Sequence, residues 1–277
     1  MKLQKIRQIE VQKIIGETTT IGSSPLQVWA DDMNYYYAKT TMPQVPRVEL
    51  INELICAYFA QCWDLRVPPF ALTAISDIVI EKYISEKGSL SNRYKSTSFG
   101  ENLFFASQQI EPAIELEKYI SANQQSSFKT FEKPQDIIKI GVFDYWIGNK
   151  DRQPSNPNIL IGALEKKFDF HPIDHTAAFA YLTDYNQVRD IMLSIESKNN
   201  ILSLPIVRYI SNFVDAEKYA GLKREILSGI EIVLKNIDFI FEQIPSSWDF
   251  SKKQKVHLKE FLSDKERNER IASSYLT

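Results

Sequence analysis

The residues that could do chemistry are Asp151, Asn156 and Asp174, with Lys39 and Glu53 far upstream. Asp151 and Asn156 lie in GNKDRQPSNPNILI, residues 148 to 161, where turn formers sit between the apolar segment ending at Ile147 and the run Ile159-Leu160-Ile161. Asp174 follows in FHPIDHTAAF, after a second short apolar run. Carboxylates and an amide that converge at the ends of short strands offer hard oxygen donors, which suit a divalent ion such as Mg2+ in company with phosphates. A further carboxylate there can take the proton of an attacking hydroxyl. Lys39 ends YYYAK and Glu53 lies inside ELINELICAYFA, so an ammonium on a strand can pair with a carboxylate on the helix that follows. Upstream, TTTIGSSP could cover phosphates with backbone N–H groups and the hydroxyls of Ser23 or Ser24, although it is neither a GxGxxG nor a Walker loop.

These residues need elements to carry them. Gln8 to Ile15 has a mixed strand pattern. Leu26, Val28 and Ala30 alternate with polar neighbours, DDMN makes a turn, and YYYAKT returns, which predicts a hairpin with a four-residue loop. Val48 to Leu65 is apolar at helical spacing and predicts a helix that RVPP ends. Phe70 to Ile75 and NLFFAS read as strands. Asp136 to Ile147 reads as a helix, and Ile159 to Gly162 with Phe168 to Ile173 as two short strands. Residues 186 to 197, 204 to 214, 216 to 242 and 251 to 272 read as helices, the last with Ser251 as N-cap. The Ser-rich stretch Ile84 to Gly100 and the polar stretch Ile120 to Pro134 read as loops. Strands come first and helices later, the order of an α+β fold.

The bulk properties narrow the class. The chain has 277 residues and a formal net charge of −2, so no electrostatic case exists for direct nucleic-acid contact or an anionic membrane. Cys56 and Cys62 have no accompanying metal-ligand cluster and read as buried free thiols, which suits a reducing compartment. The first residues hold no apolar run of signal-peptide length, and no window reaches the roughly 18 apolar residues of a membrane span. The expectation is a cytoplasmic protein.

The Asp-x4-Asn spacing is that of protein-kinase catalytic loops, in which a later Asp takes the metal. Alone it is a weak signal. In the order GSSPLQVWADDMNYYYAK, LINELICAYFAQCWDLRVPPFAL, FDYWIGNKDRQPSNPNILI, PIDHTAAF and IPSSWDFSKKQKVHLKEFL, the sequence resembles the HipA-like kinase domain family from about residue 15 to 270.

The resemblance implies a bilobal protein-kinase-like fold, with an N-lobe of sheet and helix over 1–108 and a helical C-lobe over 109–277. It implies that Asp151 is the catalytic base and that Asn156 and Asp174 hold Mg2+ against ATP. It further implies that Lys39 contacts the phosphates and pairs with Glu53, and that Arg152 braces the loop. Pro157-Asn158 departs from the family pattern and makes Asn158 a rival to Asn156. His175 reads as a hydrogen-bond partner of the metal-holding carboxylate. The implied activity is Mg-ATP-dependent transfer of the γ-phosphoryl group to a hydroxyl, with a protein serine or threonine as acceptor. A nucleotide-binding pseudokinase scaffold and a small-molecule kinase on the same fold stay open. So does a toxin-like module acting with a small DNA-binding regulatory partner.

Overall fold

The hairpin expected from alternation is present and forms one wall of a small barrel. The computed structural model describes residues 2–18, 24–40, 46–94, 97, 99–122, 130–165, 167–212 and 216–274. Strands β1 (Arg7–Glu17), β2 (Leu26–Ala30), β3 (Tyr35–Lys39), β4 (Phe70–Ala74) and β5 (Phe104–Gln108) pair in the order β1-β2-β3-β5-β4. Parallel pairing of β1 with β4 closes the ring. The turn between β2 and β3 spans Asp31 to Asn34, where the Ala30 N–H donates to the Asn34 carbonyl at 3.0 Å. Because side chains alternate along a strand, Leu26, Val28, Tyr36 and Ala38 fill the barrel while Tyr37 and Lys39 face outward. Helix α1 (Arg47–Cys62) follows β3, and α2 (Asp77–Lys87) closes the barrel with Ile80 and Tyr83.

A second and larger core takes in α1 and the rest of the chain. Its elements are β6 (Ala113–Glu115), α3 (Leu116–Ala122), α4 (Asp136–Ile147), β7 (Ile159–Leu164) and β8 (Lys167–Pro172). They continue with α5 (Asp190–Leu193), α6 (Pro205–Ser211), α7 (Ala216–Glu242), α8 (Lys252–Leu262) and α9 (Lys265–Ser274). Strands β6, β7 and β8 form a separate antiparallel sheet in that order. α1 and α4 are buried on nearly every side, and their aromatic rings interlock: Trp63 meets Phe143 at 5.2 Å, and Phe59 meets Trp146 at 5.5 Å. α7 approaches this cluster closely at Gly229, where a Cβ would lie 2.9 Å from the Trp63 ring. Both cysteines are buried and free, as the sequence suggested. Among the described residues no helix is long and apolar enough to cross a membrane.

Four sequence expectations need correction. Residues 120 to 122 belong to α3, so the polar stretch from Ile120 to Pro134 is not loop from its start. Residues 84 to 87 belong to α2, and Asn92–Tyr94 forms a 3-10 turn, so the stretch from 84 to 100 is not one long loop. Residues 186 to 197 form no continuous helix. The Asp184 carboxylate accepts the Asn186 N–H at 2.9 Å, and the Asn200 side chain accepts from Leu202 at 2.8 Å, so local side-chain bonds break the region into 3-10 turns and the four-residue α5. Residues 251 to 272 form two helices, because the Asp264 carboxylate accepts the Arg267 N–H at 3.0 Å and starts α9 afresh. The Ser251 cap is present, as a reciprocal box with Gln254.

Candidate active site

Lys39 reaches α1 because β3 alternates. Its Nζ donates to Glu53 Oε1 at 2.5 Å and lies 3.1 Å from Asp174 Oδ2. The Lys39 and Glu53 side chains are only 11% and 5% exposed, whereas Asp174 is 32% exposed. The trio therefore has a closed end at the helix and an open end at the aspartate. Burial pulls the Lys39 ammonium down, but Asp174 and Glu53 more than offset this and hold it above the ordinary lysine value. Burial pushes the Glu53 carboxyl up, and Lys39 followed by His175 reverses this, leaving it well below the ordinary glutamate value. The other oxygen, Glu53 Oε2, accepts the backbone N–H of His175 at 3.0 Å, so α1 also grips the chain just beyond Asp174.

Asp174 sits at the end of the β7–β8 hairpin with φ of 57°, an uncommon conformation outside glycine, asparagine and aspartate. Its Oδ1 accepts the Thr176 hydroxyl at 2.7 Å. Beyond it, α1 makes a second grip. The buried Asn52 donates to the carbonyls of Thr176 at 2.8 Å and Ala178 at 3.0 Å, and its Oδ1 accepts the Tyr185 hydroxyl at 2.6 Å. His175 therefore serves Glu53 through its N–H, with its ring beside Arg152, and the structure gives it no bond to Asp174.

The loop that carries Asp151 begins where α4 ends. Gly148 takes φ of 61° and stops the helix, a backbone state that glycine adopts without the Cβ penalty. Buried Asn149 donates to Asp144 Oδ1 at 3.3 Å, and its own Oδ1 accepts the Asp151 N–H at 3.3 Å. Arg152 is wholly buried, with Nη1 on Asp144 Oδ1 and Nη2 donating to the Ile173 carbonyl at 2.6 Å. That last bond joins the residue after Asp151 to the residue before Asp174, so the two aspartates flank one junction. Residues Gln153 and Asn156 exchange backbone hydrogen bonds across Pro154-Ser155, a tight turn that brings Asn156 back over Asp151. Asp151 Oδ2 accepts from both the Asn156 and the Asn158 amide nitrogens, each at 3.0 Å. Each amide keeps its oxygen for another partner, and the geometry does not separate the two asparagines.

Residues that sequence reasoning passed over complete the site. Glu49, one helical turn before Glu53, is half-buried; burial first, then Asp174 and Glu53, push its carboxyl up to about 7 against the pull of Lys39. Its spacing from Glu53 was the available signal. Asn52 and Asn149 were visible only as polar residues in otherwise apolar surroundings. Ser24 is buried and its carbonyl accepts the Tyr94 hydroxyl at 2.6 Å; Ser23 lies outside the described residues.

The donor set is compatible with a hard divalent cation that shares its shell with phosphates. The amide oxygen of Asn156 or Asn158 and the carboxylate of Asp174 are all oxygen donors. Among the described residues no group of three or more His, Cys, Asp or Glu side chains is placed to hold a metal ion. A cation here would draw further ligands from water or phosphate, the usual manner of Mg2+.

A family model described as HipA-like kinase matches residues 11–270. No curated protein matches the chain in sequence. Among solved structures, the proinflammatory kinase CtkA of Helicobacter pylori superposes with a TM-score of 0.54 at 13% identity, over 99% of this chain and 98% of that one. HipA of Shewanella oneidensis MR-1, solved with HipB and operator DNA, gives 0.49 at 10% identity over 95% and 66%. Golgi casein kinase with Mn/ADP bound gives 0.45 at 12% identity over 99% and 73%. The likeness to CtkA is one of fold.

Proposed function

The chain belongs to the HipA-like kinase family, and from that premise we propose that it transfers the γ-phosphoryl group of Mg-ATP to the hydroxyl of a protein serine or threonine. The reading takes the barrel as one lobe and the larger core, into which α1 packs, as the other, with ATP between them. The observation that carries it is the clasp of Lys39, Glu53 and Asp174, joined through the Arg152 to Ile173 bond to the loop that holds Asp151.

Each residue has a task that its surroundings support. Lys39, kept charged by two carboxylates, offers its remaining hydrogen-bonding capacity to phosphate oxygens. Glu53 fixes the direction of that ammonium. Asp174 and Asn156 would hold Mg2+, which would supply charge neutralisation for the phosphates. Asp151, oriented by two amides, accepts the proton of the attacking hydroxyl. Arg152 and Asn149 hold the loop and touch no substrate. Most of the rate enhancement then comes from positioning and charge neutralisation.

The test is transfer from radiolabelled ATP into a host lysate, with Asp151→Asn and Asp174→Asn as controls. Label should appear on lysate proteins with the wild-type chain and vanish with either variant. Transfer that survives Asp151→Asn removes this residue as the base. Absence of both transfer and any Mg-ATP-dependent rise in melting temperature overturns the kinase reading, since a ligand of the folded state must stabilise it.

A further inference from the structure

A cavity of about 590 Å³ lies between α8 and the stretch of chain from Asn186 to Arg189. From α8 it is lined by Lys252, Lys253, Val256, His257 and Glu260, which recur at helical spacing and so form one face of the helix. Leu258 and Leu262, on the same helix, are seated in the core. Lys252, Lys253, Val256 and Glu260 are exposed. The first turn of α8 carries no acid, and the two lysines stand at the end where the helix dipole favours acids. Their charge is therefore not there to stabilise the helix. Lys255 sits over the Phe250 ring at 5.6 Å and Lys259 donates to Asp238 at 2.6 Å, whereas among the described residues Lys252 and Lys253 form no ion pair.

Arg189 lines the other wall. Its Nη1 donates to the carbonyls of Val188 at 2.7 Å and Asn186 at 3.1 Å, and lies 2.8 Å from His257 Nε2. Two carbonyls and a ring nitrogen thus fix the guanidinium without a carboxylate to neutralise it. The neighbouring acids are engaged elsewhere. Asp190 holds Arg267 at 3.1 Å together with Arg270, and Asp184 accepts the Asn186 N–H at 2.9 Å and the Gln254 amide at 3.1 Å. The cavity gathers Arg189, Lys252 and Lys253 against the acid Glu260. The bond from Gln254 to Asp184 also fastens α8 to the segment that runs on from Asp174. Tyr185, the next residue, is held by Asn52 beside Glu53, so the cavity has a fixed place relative to the candidate site.

We propose that this groove docks an acidic segment of the acceptor protein, with Arg189, Lys252 and Lys253 taking its carboxylates and Val256 meeting an aliphatic side chain. This rests on the kinase reading above and names how that acceptor is held. Three features select a peptide. The positive charge is local, because the whole chain carries −2 and has no broad field to draw nucleic acid. A cavity of this size admits a few side chains and not a duplex. Val256, 47% exposed in the middle of the α8 face, offers a contact that a phosphate backbone cannot use, and Glu260 beyond it repels an unbroken polyanion. The occupant therefore has its acids at one end and an aliphatic residue next to them. Because the groove lies apart from the reacting groups, it acts on the occupancy of the acceptor and not on the chemical step.

The experiment titrates the full chain into a short fluorescent peptide in which glutamates precede a leucine, read by anisotropy. The same peptide with lysines for glutamates and a single-stranded DNA oligonucleotide are run beside it. The acidic peptide should bind, the basic one should not, and binding should weaken as salt is raised. Lys252→Glu combined with Lys253→Glu should weaken it at least about tenfold. That double variant should not lower the melting temperature, since acids suit the first turn of a helix. It should also keep its Mg-ATP-dependent thermal shift while labelling lysate proteins poorly in dilute lysate and better in concentrated lysate. Equal affinity of wild type and double variant for the acidic peptide, or binding by neither, overturns the proposal and leaves the kinase reading intact. Tighter binding of the oligonucleotide than of the acidic peptide also overturns it, in favour of a nucleic-acid surface. Lysine-dependent peptide binding by a chain that neither transfers phosphate nor shifts with Mg-ATP removes the kinase reading and the acceptor role, and leaves the groove as a site for acidic peptides.

Discussion

Two buried ion pairs lie near the candidate site, and they are built in opposite ways. Arg152 and Asp144 come from adjacent pieces of chain, eight residues apart, and both side chains are fully buried. Lys39 lies between Glu53 and Asp174, which come from distant parts of the chain, and Asp174 remains open to solvent. The first pair has no free face on which a ligand could act. The second ends on an exposed carboxylate, where phosphate and cation can join it. Charges sealed on all sides organise backbone, whereas charges sealed on one side can work on something that arrives.

The largest effect should come from opening the sealed pair. Arg152→Leu leaves Asp144 and the Ile173 carbonyl without their partner, and loss of one member of a buried pair costs about 3–5 kcal/mol. Urea unfolding measures it, and a loss under about 1 kcal/mol would erase the distinction drawn here. Lys39→Met should cost less, about 1–3 kcal/mol, because Asp174 has access to water and Glu53 keeps the His175 N–H. The same variant should lose its Mg-ATP-dependent thermal shift, and an undiminished shift would make the open pair structural as well.

The acid dependence follows from the sign of the Glu53 shift. Its folded pKa lies below its unfolded one, so its contribution is complete above the unfolded value near 4.5 and is lost as pH falls toward the folded value. Wild-type stability should drop by about 2 kcal/mol more than that of Lys39→Met between roughly pH 5 and pH 3. Equal slopes in the two proteins would mean that Lys39 does not hold Glu53 ionised. The smallest stability effects are expected at the two amides. Asn156→Ala and Asn158→Ala should each change stability by about 0.5–1.5 kcal/mol, and whichever raises the Mg2+ concentration needed for nucleotide binding marks the ligand. No change in either would leave Asp174 as the sole cation-holding side chain of the pair.

Much of this arrangement was legible because it follows from local periodicity. The hairpin of β2 and β3, the helix α1 and the strands around Asp174 announce themselves by alternation or by a 3.6-residue spacing. α2 did not, because only Ile80 and Tyr83 of its eleven residues are buried and Ile78 and Ile84 face solvent, so no apolar stripe marks it. The break between α8 and α9 depends on one aspartate capping a new helix within a stretch of continuous helical spacing. At the site, Lys39, Glu53 and Asp174 could be singled out from type and order, and the structure brings these three together. Asn52 and Asn149 could not, because their parts depend on which carbonyls and carboxylates the fold brings to them.

Asn52 ties α1 to the backbone at Thr176 and Ala178, and Glu53, the next residue, ties it to His175. The helix is also packed on almost all sides by the larger core. It therefore behaves as an anvil set in the helical body and not as a free lever. Of the two partners in the Lys39–Glu53 pair, the acid is thus the one seated in the helical body, and the lysine arrives from the barrel.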